Sequence, residues 1–404
     1  MSAENFGFPQ GGYGGYGGYG GYGGYGGYGG YGGYGGYGGY GGYGGYGGYG
    51  LPESPISPAS LITNRDGIVG APIAGIPAAM PGRPNDVRNL GRLSREVRSA
   101  IFAFDLNSRI ELTFTESETG TATLWRRDER ATERPRGRYN KMCEMTAPRQ
   151  EVLQAQMAFL EGYADIRPDR AGEIMSQIAA PVPFYETIGF IDPARTPYTL
   201  ELIATALRFT NYAEMQMKYL LAVKRPIELS PQVQPMITTP THGSLPSGHA
   251  TEAFVMARMI WKLMLTSNAP QYTAGGHWGE MLMRLAARIA TNRTVAGVHY
   301  PVDSAAGAVL GLTIADYVHG MCTGDDWTSS TFNGLHYASS SDLDWHQLYT
   351  ADGDVQAAST SGPDGIWATS EQHAPETGAA PALEWLWNKA VAEWQDFDAP
   401  DGGV

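Results

Sequence analysis

Apolar side chains recur every three to four residues over long stretches of the chain, and that spacing predicts helices. It begins weakly after Asp86, with Val87, Leu90, Leu93, Val97 and Ile101. Residues 151–163 place Val152, Leu153, Met157, Phe159 and Leu160 on a broad face, residues 169–179 continue in helix, and the proline-bearing segment 181–197 interrupts the pattern. A long run over 199–223 follows, carrying Leu200, Ile203, Leu207, Tyr212, Met215, Tyr219 and Leu220. Further helices are predicted at about 250–267, 279–296 and 303–321, and an amphipathic one at 383–394 with Trp385, Trp387 and Trp394 on its docking face. Two-residue alternation is confined to 109–116 (Ile110, Leu112, Phe114) and 121–127 (Thr121, Thr123, Trp125), with Gly120 between them, which predicts one small hairpin. Outside that hairpin every period is helical, so the predicted fold class is all-α, a helical bundle.

Composition divides the chain into four parts. Residues 1–50 are dominated by thirteen consecutive Gly-Gly-Tyr triplets at 11–49, which offer no aliphatic surface to bury and carry a large glycine entropy cost, so a disordered tail is expected. Residues 51–85, rich in Pro, Gly, Ala and Ile, read as an extended linker. Residues 86–322 hold the helical pattern, and 323–404 form an acidic region with its one helix. The formal charge of −13 resides in that last part: from Gly324 onward there are 14 acidic residues and one basic, Lys389, while the remainder carries 27 of each sign. Such a distribution argues against nucleic-acid partners and against docking on an anionic membrane. The two cysteines, Cys143 and Cys322, allow at most one disulfide and form no metal motif. No charged-then-apolar leader opens the chain, and the longest apolar run, 304–315, is short for a bilayer span. A soluble protein is expected, cytoplasmic by default.

Three short stretches carry chemistry. In Leu245-Pro-Ser-Gly-His-Ala250, a hydroxyl (Ser247), a glycine (Gly248) and an imidazole (His249) stand where a helix is predicted to begin. Helix N-termini present unpaired N–H groups and a positive dipole end to anions. Taken alone the stretch reads equally as a turn with a capping serine. The second stretch is Lys218 followed by Arg225-Pro226. Seven residues are nearly two helical turns, which predicts both cations on one face about 10 Å apart, with Arg225 near the helix end because Pro226 disfavours helix before it. The third is Arg293, His299 and Asp303. Arg293 and His299 converge only if the helix stops between them, for which Gly297 is suited. Asp303 then either caps the next helix or accepts the second ring N–H of His299 and orients it. Together, three cations, a helix-start serine and two histidines compose a pocket for a tetrahedral oxyanion with an acid–base group. Histidines 277, 319, 336, 346 and 373 read as structural.

Lys218-x6-Arg225-Pro226, Pro246-Ser-Gly-His249 and Arg293-x5-His299-x3-Asp303 resemble the three-part signature of the type 2 phosphatidic acid phosphatases, class A bacterial acid phosphatases and vanadium-dependent haloperoxidases. Asn292 departs from the serine usual in the phosphatase pattern. The late position of the signature, its continuation into Ala250-Thr251, and His242, seven residues before His249, resemble the haloperoxidases most; His242 reads otherwise as a loop histidine after Pro240. That resemblance implies the helical acid phosphatase/haloperoxidase fold and a vanadate cofactor bound by His299. Its oxygens would be held by Lys218, Arg225, Ser247, Gly248 and Arg293, with His249 as acid–base group and Lys218 polarising bound peroxide. Hydrogen peroxide, a halide (bromide before chloride) and a small organic acceptor are the implied reactants, and assembly into dimers or larger is also implied. Met215 stands where a tryptophan or arginine precedes the lysine by three in relatives.

Two other functions stay open from sequence. In an acid phosphatase, His299 would be the nucleophile forming a phosphohistidine, oriented by Asp303, and His249 would protonate the leaving oxygen. In a matrix or scaffold protein, the Gly-Gly-Tyr tail would be the active part, self-associating through its regularly spaced tyrosines.

Overall fold

The computed structural model describes residues 63–65, 67–71, 75, 83–128, 138–179, 181–273, 275–358, 365–373 and 380–395. The Gly-Gly-Tyr repeat, and with it the expected disorder of the tail, lies outside the described residues, as does most of 51–85. The chain divides into two compact units, Met1–Ser99 and Ala100–Val404. In the first, Asp86 caps a 3-10 turn at Val87–Arg92 by accepting from the Arg88 N–H at 2.9 Å, and helix α1 (Arg95–Asn107) begins.

The second unit opens with β1 (Ile110–Thr115) and β2 (Thr121–Asp128), the expected hairpin, antiparallel with Thr115 opposite Thr121. Strand β3 (Arg138–Thr146) pairs antiparallel with β2. The helices follow: α2 (Gln150–Ala164), α3 (Arg167–Ser176), α4 (Val182–Gly189), α5 (Pro197–Leu221), the one-turn α6 (Pro226–Leu229), α7 (Gly248–Thr266), the one-turn α8 (Pro270–Thr273), α9 (His277–Val295) and α10 (Pro301–Thr323). Beyond them lie β4 (Trp327–Asn333), the short ribbon β5 (Tyr349–Thr350) and β6 (Val355–Gln356), β7 (Trp367–His373) and α11 (Pro381–Ala392). Strands β1-β2-β3-β4-β7 form one mixed sheet in that order, with β4 parallel to β3 and antiparallel to β7.

That sheet overturns the all-α expectation. Its concealed member is β4, Trp-Thr-Ser-Ser-Thr-Phe-Asn, whose small hydroxyl residues give no apolar alternation although Ser329 and Ser330 are buried. The Ser330 hydroxyl is satisfied inside: Thr313 Oγ1 of α10 donates to Ser330 Oγ at 2.7 Å, and Gln356 Nε2 reaches the same oxygen at 3.2 Å. A polar strand can occupy a core when its partners are polar too. The acidic region therefore adds structure to the sheet. It also closes the helical core: Glu393 accepts from the N–H groups of Tyr198 and Thr199, both at 2.8 Å, and so caps α5 from a distant part of the chain. Trp394 donates to Thr199 Oγ1 at 2.9 Å. Asp354, from the same region, is held below the usual carboxylate range by Arg258 and Lys262 of α7 despite its burial. Cys143 and Cys322 are both buried free thiols, so the one disulfide the composition allowed is not formed.

Helix α10 is apolar all round, and α7 is nearly so. Two glycines of α10 let them meet at backbone distance. A Cβ at Gly307 would come within 2.6 Å of the Ser247 carbonyl, and one at Gly311 would collide with the Thr251 carbonyl. By length and composition α10 is also sufficient to cross a membrane, where the sequence pattern had suggested only a shorter run. Within the protein, 94% of its apolar window is buried, as for a central core helix.

The glycine contact is testable. Gly307→Ala should lower stability by about 1–3 kcal/mol through overpacking against backbone, although alanine favours helix by about 1 kcal/mol. Denaturant unfolding reads the sign; a stabilised variant would mean that α7 and α10 are not in backbone contact.

Candidate functional site

The site is built where α5, α7, α9 and α10 end or begin. Helix α5 stops earlier than the sequence reading expects: Ala222 takes a left-handed conformation (φ 47°), and Arg225 is extended as the N-cap of α6. Lys218 and Arg225 are therefore not on one face of a single helix. Pro226 is the cause, since the residue before a proline is excluded from helix and the chain must leave α5 before reaching it. The Arg225 N–H donates to Glu228 Oε2 at 2.6 Å, which fixes the turn.

Arg225 is buried and held on several sides. Its Nε donates to the His242 carbonyl (3.1 Å), its Nη1 to the Val298 carbonyl (2.8 Å) and to His299 Nε2 (3.0 Å), and its Nη2 to His242 Nδ1 (3.0 Å). A guanidinium only donates, so His299 Nε2 is an acceptor and carries no proton, while His242 Nδ1 lies between Arg225 and the Gly243 carbonyl, 3.2 Å away. The other nitrogen of His299, Nδ1, donates to Asp303 Oδ2 at 2.9 Å. The same carboxylate oxygen accepts from Ser244 Oγ at 2.5 Å and from the Tyr300 N–H at 3.0 Å. The two readings of Asp303 thus merge: it satisfies a helix-start N–H of α10 and orients His299 at once. Gly297, at φ +81°, turns the chain out of α9 so that His299 can reach it.

Lys218 lies beneath this group, with Nζ donating to the carbonyls of Gly243 (3.4 Å), Ser244 (3.2 Å) and Pro246. Its three donors thereby brace the turn that leads into α7, so the lysine contributes its charge to the pocket while its N–H groups hold the wall. Ser247 caps α7 by accepting from the Ala250 N–H at 3.4 Å, and its own N–H donates to the Asp303 carbonyl at 2.9 Å, tying α7 to α10. Being the first residue of α7, Gly248 has an N–H with no helical carbonyl to meet it. His249 Nε2 lies 3.3 Å from the Ile178 carbonyl, which can only accept; Nε2 therefore holds the proton and Nδ1 is left as the exchanging nitrogen.

Opposite stands Arg293, fully buried. Its Nη2 donates to Gln177 Oε1 at 2.9 Å, while Nε and Nη1 have no partner. A buried guanidinium with two idle edges is expensive unless an anion completes it. Asn292, the departure from the phosphatase pattern, binds Gln177 (2.9 Å), Glu173 (3.0 Å) and Arg170 (3.0 Å), and so fastens the end of α3 over Arg293.

The electrostatics follow from burial among cations. Burial first, then Arg225 and Lys218, holds His299 well below the usual histidine range; His249 is lowered to about 3 by burial and Arg293, and His242 to about 3 by burial and Lys218. All three are neutral near pH 7. Asp303 is raised to about 6 by burial, against the hydrogen bonds from Ser244 and Tyr300 and the charges of Arg225 and Lys218. Every residue of the sequence-predicted set is thus brought to one place. Sequence reading missed Ser244, Gln177 and the Ile178 carbonyl. Ser244 sits two residues before the signature turn, but the other two come from a helix end with no motif of its own. Among the described residues no cluster of His, Cys, Asp or Glu suits a metal cation; the donor set here is one for anions.

Residues 199–323 match the model of the PAP2 superfamily, and the chain carries a PAP2 superfamily domain there. Among solved structures, the chain is similar to the first transmembrane PAP2 type phosphatidylglycerolphosphate phosphatase from Bacillus subtilis, at 21% identity and a TM-score of 0.33, over 43% of this chain and 86% of that one. A search of curated proteins returned no match.

The idle edges of Arg293 yield a direct test. Arg293→Met should weaken binding of tungstate, a tetrahedral oxyanion, by roughly 10–100-fold, the worth of charge-assisted hydrogen bonds of about 1.5–3 kcal/mol. Titration calorimetry measures it, and unchanged affinity would place the anion elsewhere.

Proposed function

We propose that the chain is an enzyme that holds a tetrahedral oxyanion against Nε2 of His299, and that its reaction is hydrolysis of phosphate monoesters through a phosphohistidine. The observation that carries this reading is the alignment of His299: Asp303 takes the Nδ1 proton, so the Nε2 lone pair faces Arg225 and the pocket. This reading needs no group beyond the residues present.

The phosphoryl oxygens would lie against Arg225, the idle edges of Arg293, the Ser247 hydroxyl and the Gly248 N–H. His299 Nε2 attacks phosphorus as the ester P–O bond breaks, and the positive charge arising on the imidazole is stabilised through Nδ1–H by Asp303. The proton that a phosphate monoanion brings to His249 Nδ1 passes to the departing oxygen. His249 then removes a proton from the water that displaces His299, regenerating free imidazole and inorganic phosphate.

A second reading is favoured by one observation, the placement of His242 against Arg225, the site the haloperoxidase resemblance singles out. The same residues fit vanadate: unpartnered buried guanidinium edges, helix-start donors and an imidazole nitrogen, His299 Nε2, that carries no proton. Lys218, Arg225, Ser247, Gly248 and Arg293 would surround it, with His299 as its ligand. When bound, vanadate supplies the Lewis-acid chemistry by which hydrogen peroxide oxidises halide. The burial of α10 supports its reading as a core helix, and with it an enzyme that works away from the bilayer.

Parallel assays separate the two. Hydrolysis of p-nitrophenyl phosphate without peroxide-dependent bromination after incubation with orthovanadate supports the first reading, and the reverse result replaces it with the second. His299→Ala should abolish whichever activity is found, and Asp303→Asn should lower it on the order of 10³–10⁴-fold by allowing the wrong tautomer. Because His249 is depressed, its protonated form is reached only in acid or when a phosphate monoanion (second pKa about 6) brings the proton. Hydrolysis should therefore be faster at pH 6 than at pH 8, before Asp303, raised to about 6, loses its charge; a rate that climbs with pH over this range would remove His249 from the acid role.

A further inference from the structure

One turn before Lys218 on α5 sits Glu214, an acid to which the oxyanion reading assigns no task. It is 2% exposed, and its Oε2 has no hydrogen-bond partner. Its other oxygen lies against the pocket wall: a Cβ at Gly248 would come within 2.7 Å of Glu214 Oε1. The carboxyl therefore touches the back of the residue whose N–H opens α7. On its own helix it faces Lys218, from the segment after α5 it faces Arg225, and from α7 it faces Glu252. Asp303 acts on the same lysine from the start of α10, and His242, His249 and His299 complete the titratable set around it.

Lys218 spends its donors on the carbonyls of Gly243, Ser244 and Pro246, and none reaches Glu214. Glu214 is accordingly no salt-bridged counter-ion but a carboxyl in a dry place, sustained only at a distance by two cations. Burial raises it above the usual carboxylate range against the pull of Lys218 and Arg225. Glu252 is raised well above the usual carboxylate range by burial and by the charge of Glu214.

An arriving oxyanion shares those same cations and adds negative charge on the far side of Gly248. A buried carboxylate without hydrogen bonds cannot retain its charge beside a second anion; the two repel through a medium that screens little. We infer that Glu214 is a positioning residue that takes up one proton from solvent when the oxyanion binds and releases it when the oxyanion leaves. One O–H bond forms on the carboxylate and no other bond changes. The inference rests on the oxyanion reading of the pocket.

Tungstate tests it, since it is a tetrahedral dianion with no proton of its own above neutral pH. Calorimetric titration of the full chain at pH 8, in two buffers of different ionisation enthalpy, counts protons taken up per anion bound. The wild type should take up close to one, and its affinity should fall about tenfold per pH unit above neutrality. Glu214→Gln should take up close to none and bind with little pH dependence, while Glu252→Gln keeps the wild-type count. Wild-type binding without proton uptake overturns the inference whatever the variants do, as does uptake that persists in Glu214→Gln or is lost instead in Glu252→Gln. Absence of tungstate binding by the folded wild type would overturn the oxyanion reading and this inference together.

Discussion

The site depends on one carboxylate oxygen. Asp303 Oδ2 receives His299 Nδ1–H, Ser244 Oγ–H and the Tyr300 N–H, each within 3.0 Å, while Asp303 itself occupies the third position of α10. A carboxylate there suits the positive end of the helix, and the helix in turn fixes the carboxylate to the core. The tautomer and direction of His299 are thus set by the start of a buried helix, and loop conformation has little say in them. The neighbouring oxygen, Oδ1, has no partner, so the charge of Asp303 is held from one side, which is why burial succeeds in raising its pKa to about 6.

That helix can be so placed only because α7 and α10 approach at backbone distance. Their contact puts the Ser247 carbonyl beside Gly307, and the Ser247 N–H on the Asp303 carbonyl. The anion-facing start of α7 and the histidine-orienting start of α10 are consequently one rigid unit. Around it the buried cations belong to different segments: Lys218 to the end of α5, Arg225 to the turn beyond, Arg293 to the end of α9. Each is inside at a desolvation cost that a bound anion would offset. Preorganised donors of this kind stabilise charge that develops in a reaction without having to reorient first.

Much of this was legible in the sequence, for identifiable reasons. The long helices show because their apolar faces are wide, and the hairpin because Ile110, Leu112 and Phe114 alternate. The chemistry shows because Lys218, Arg225, Ser247, His249, Arg293 and His299 are residue types that have few other reasons to be spaced so. Strand β4 was illegible because two of its buried side chains are serines, Ser329 and Ser330, and the burial of Ser330 depends on partners far away in sequence such as Thr313. The acidic region looked like a solvated tail because charge pattern says nothing of counter-charges: Asp354 and Glu393 each meet a specific group of the helical core. Gln177 and Glu214 were missed for a related reason, since a polar residue on an apolar helix reads as a face until its neighbours are known. Arg225 was found, but its position was wrong, because Pro226 ends α5 sooner than a two-turn spacing allows.

The pocket also bears on how phosphate and vanadate chemistry can share one scaffold. Both ions are tetrahedral at rest and both pass to five-coordinate geometry when an imidazole nitrogen takes an apical position. The equatorial wall provided by Arg225, Arg293, Ser247 and Gly248 cannot distinguish them, because it reads charge and three oxygens. Nor, under the proposed readings, could His299, whose lone pair would serve as nucleophile toward one and ligand toward the other. Discrimination must therefore lie at the opposite apex and in its surroundings, where the leaving oxygen of an ester or an incoming peroxide and halide would have to fit. His249, anchored by the Ile178 carbonyl, and His242, anchored by Arg225, are the two groups of the pocket whose remaining ring nitrogens are not committed to the wall. Under the proposed readings the chemistry would thus be decided by two imidazoles that hold no part of the anion, and most of the residues visible in the sequence would leave the choice open.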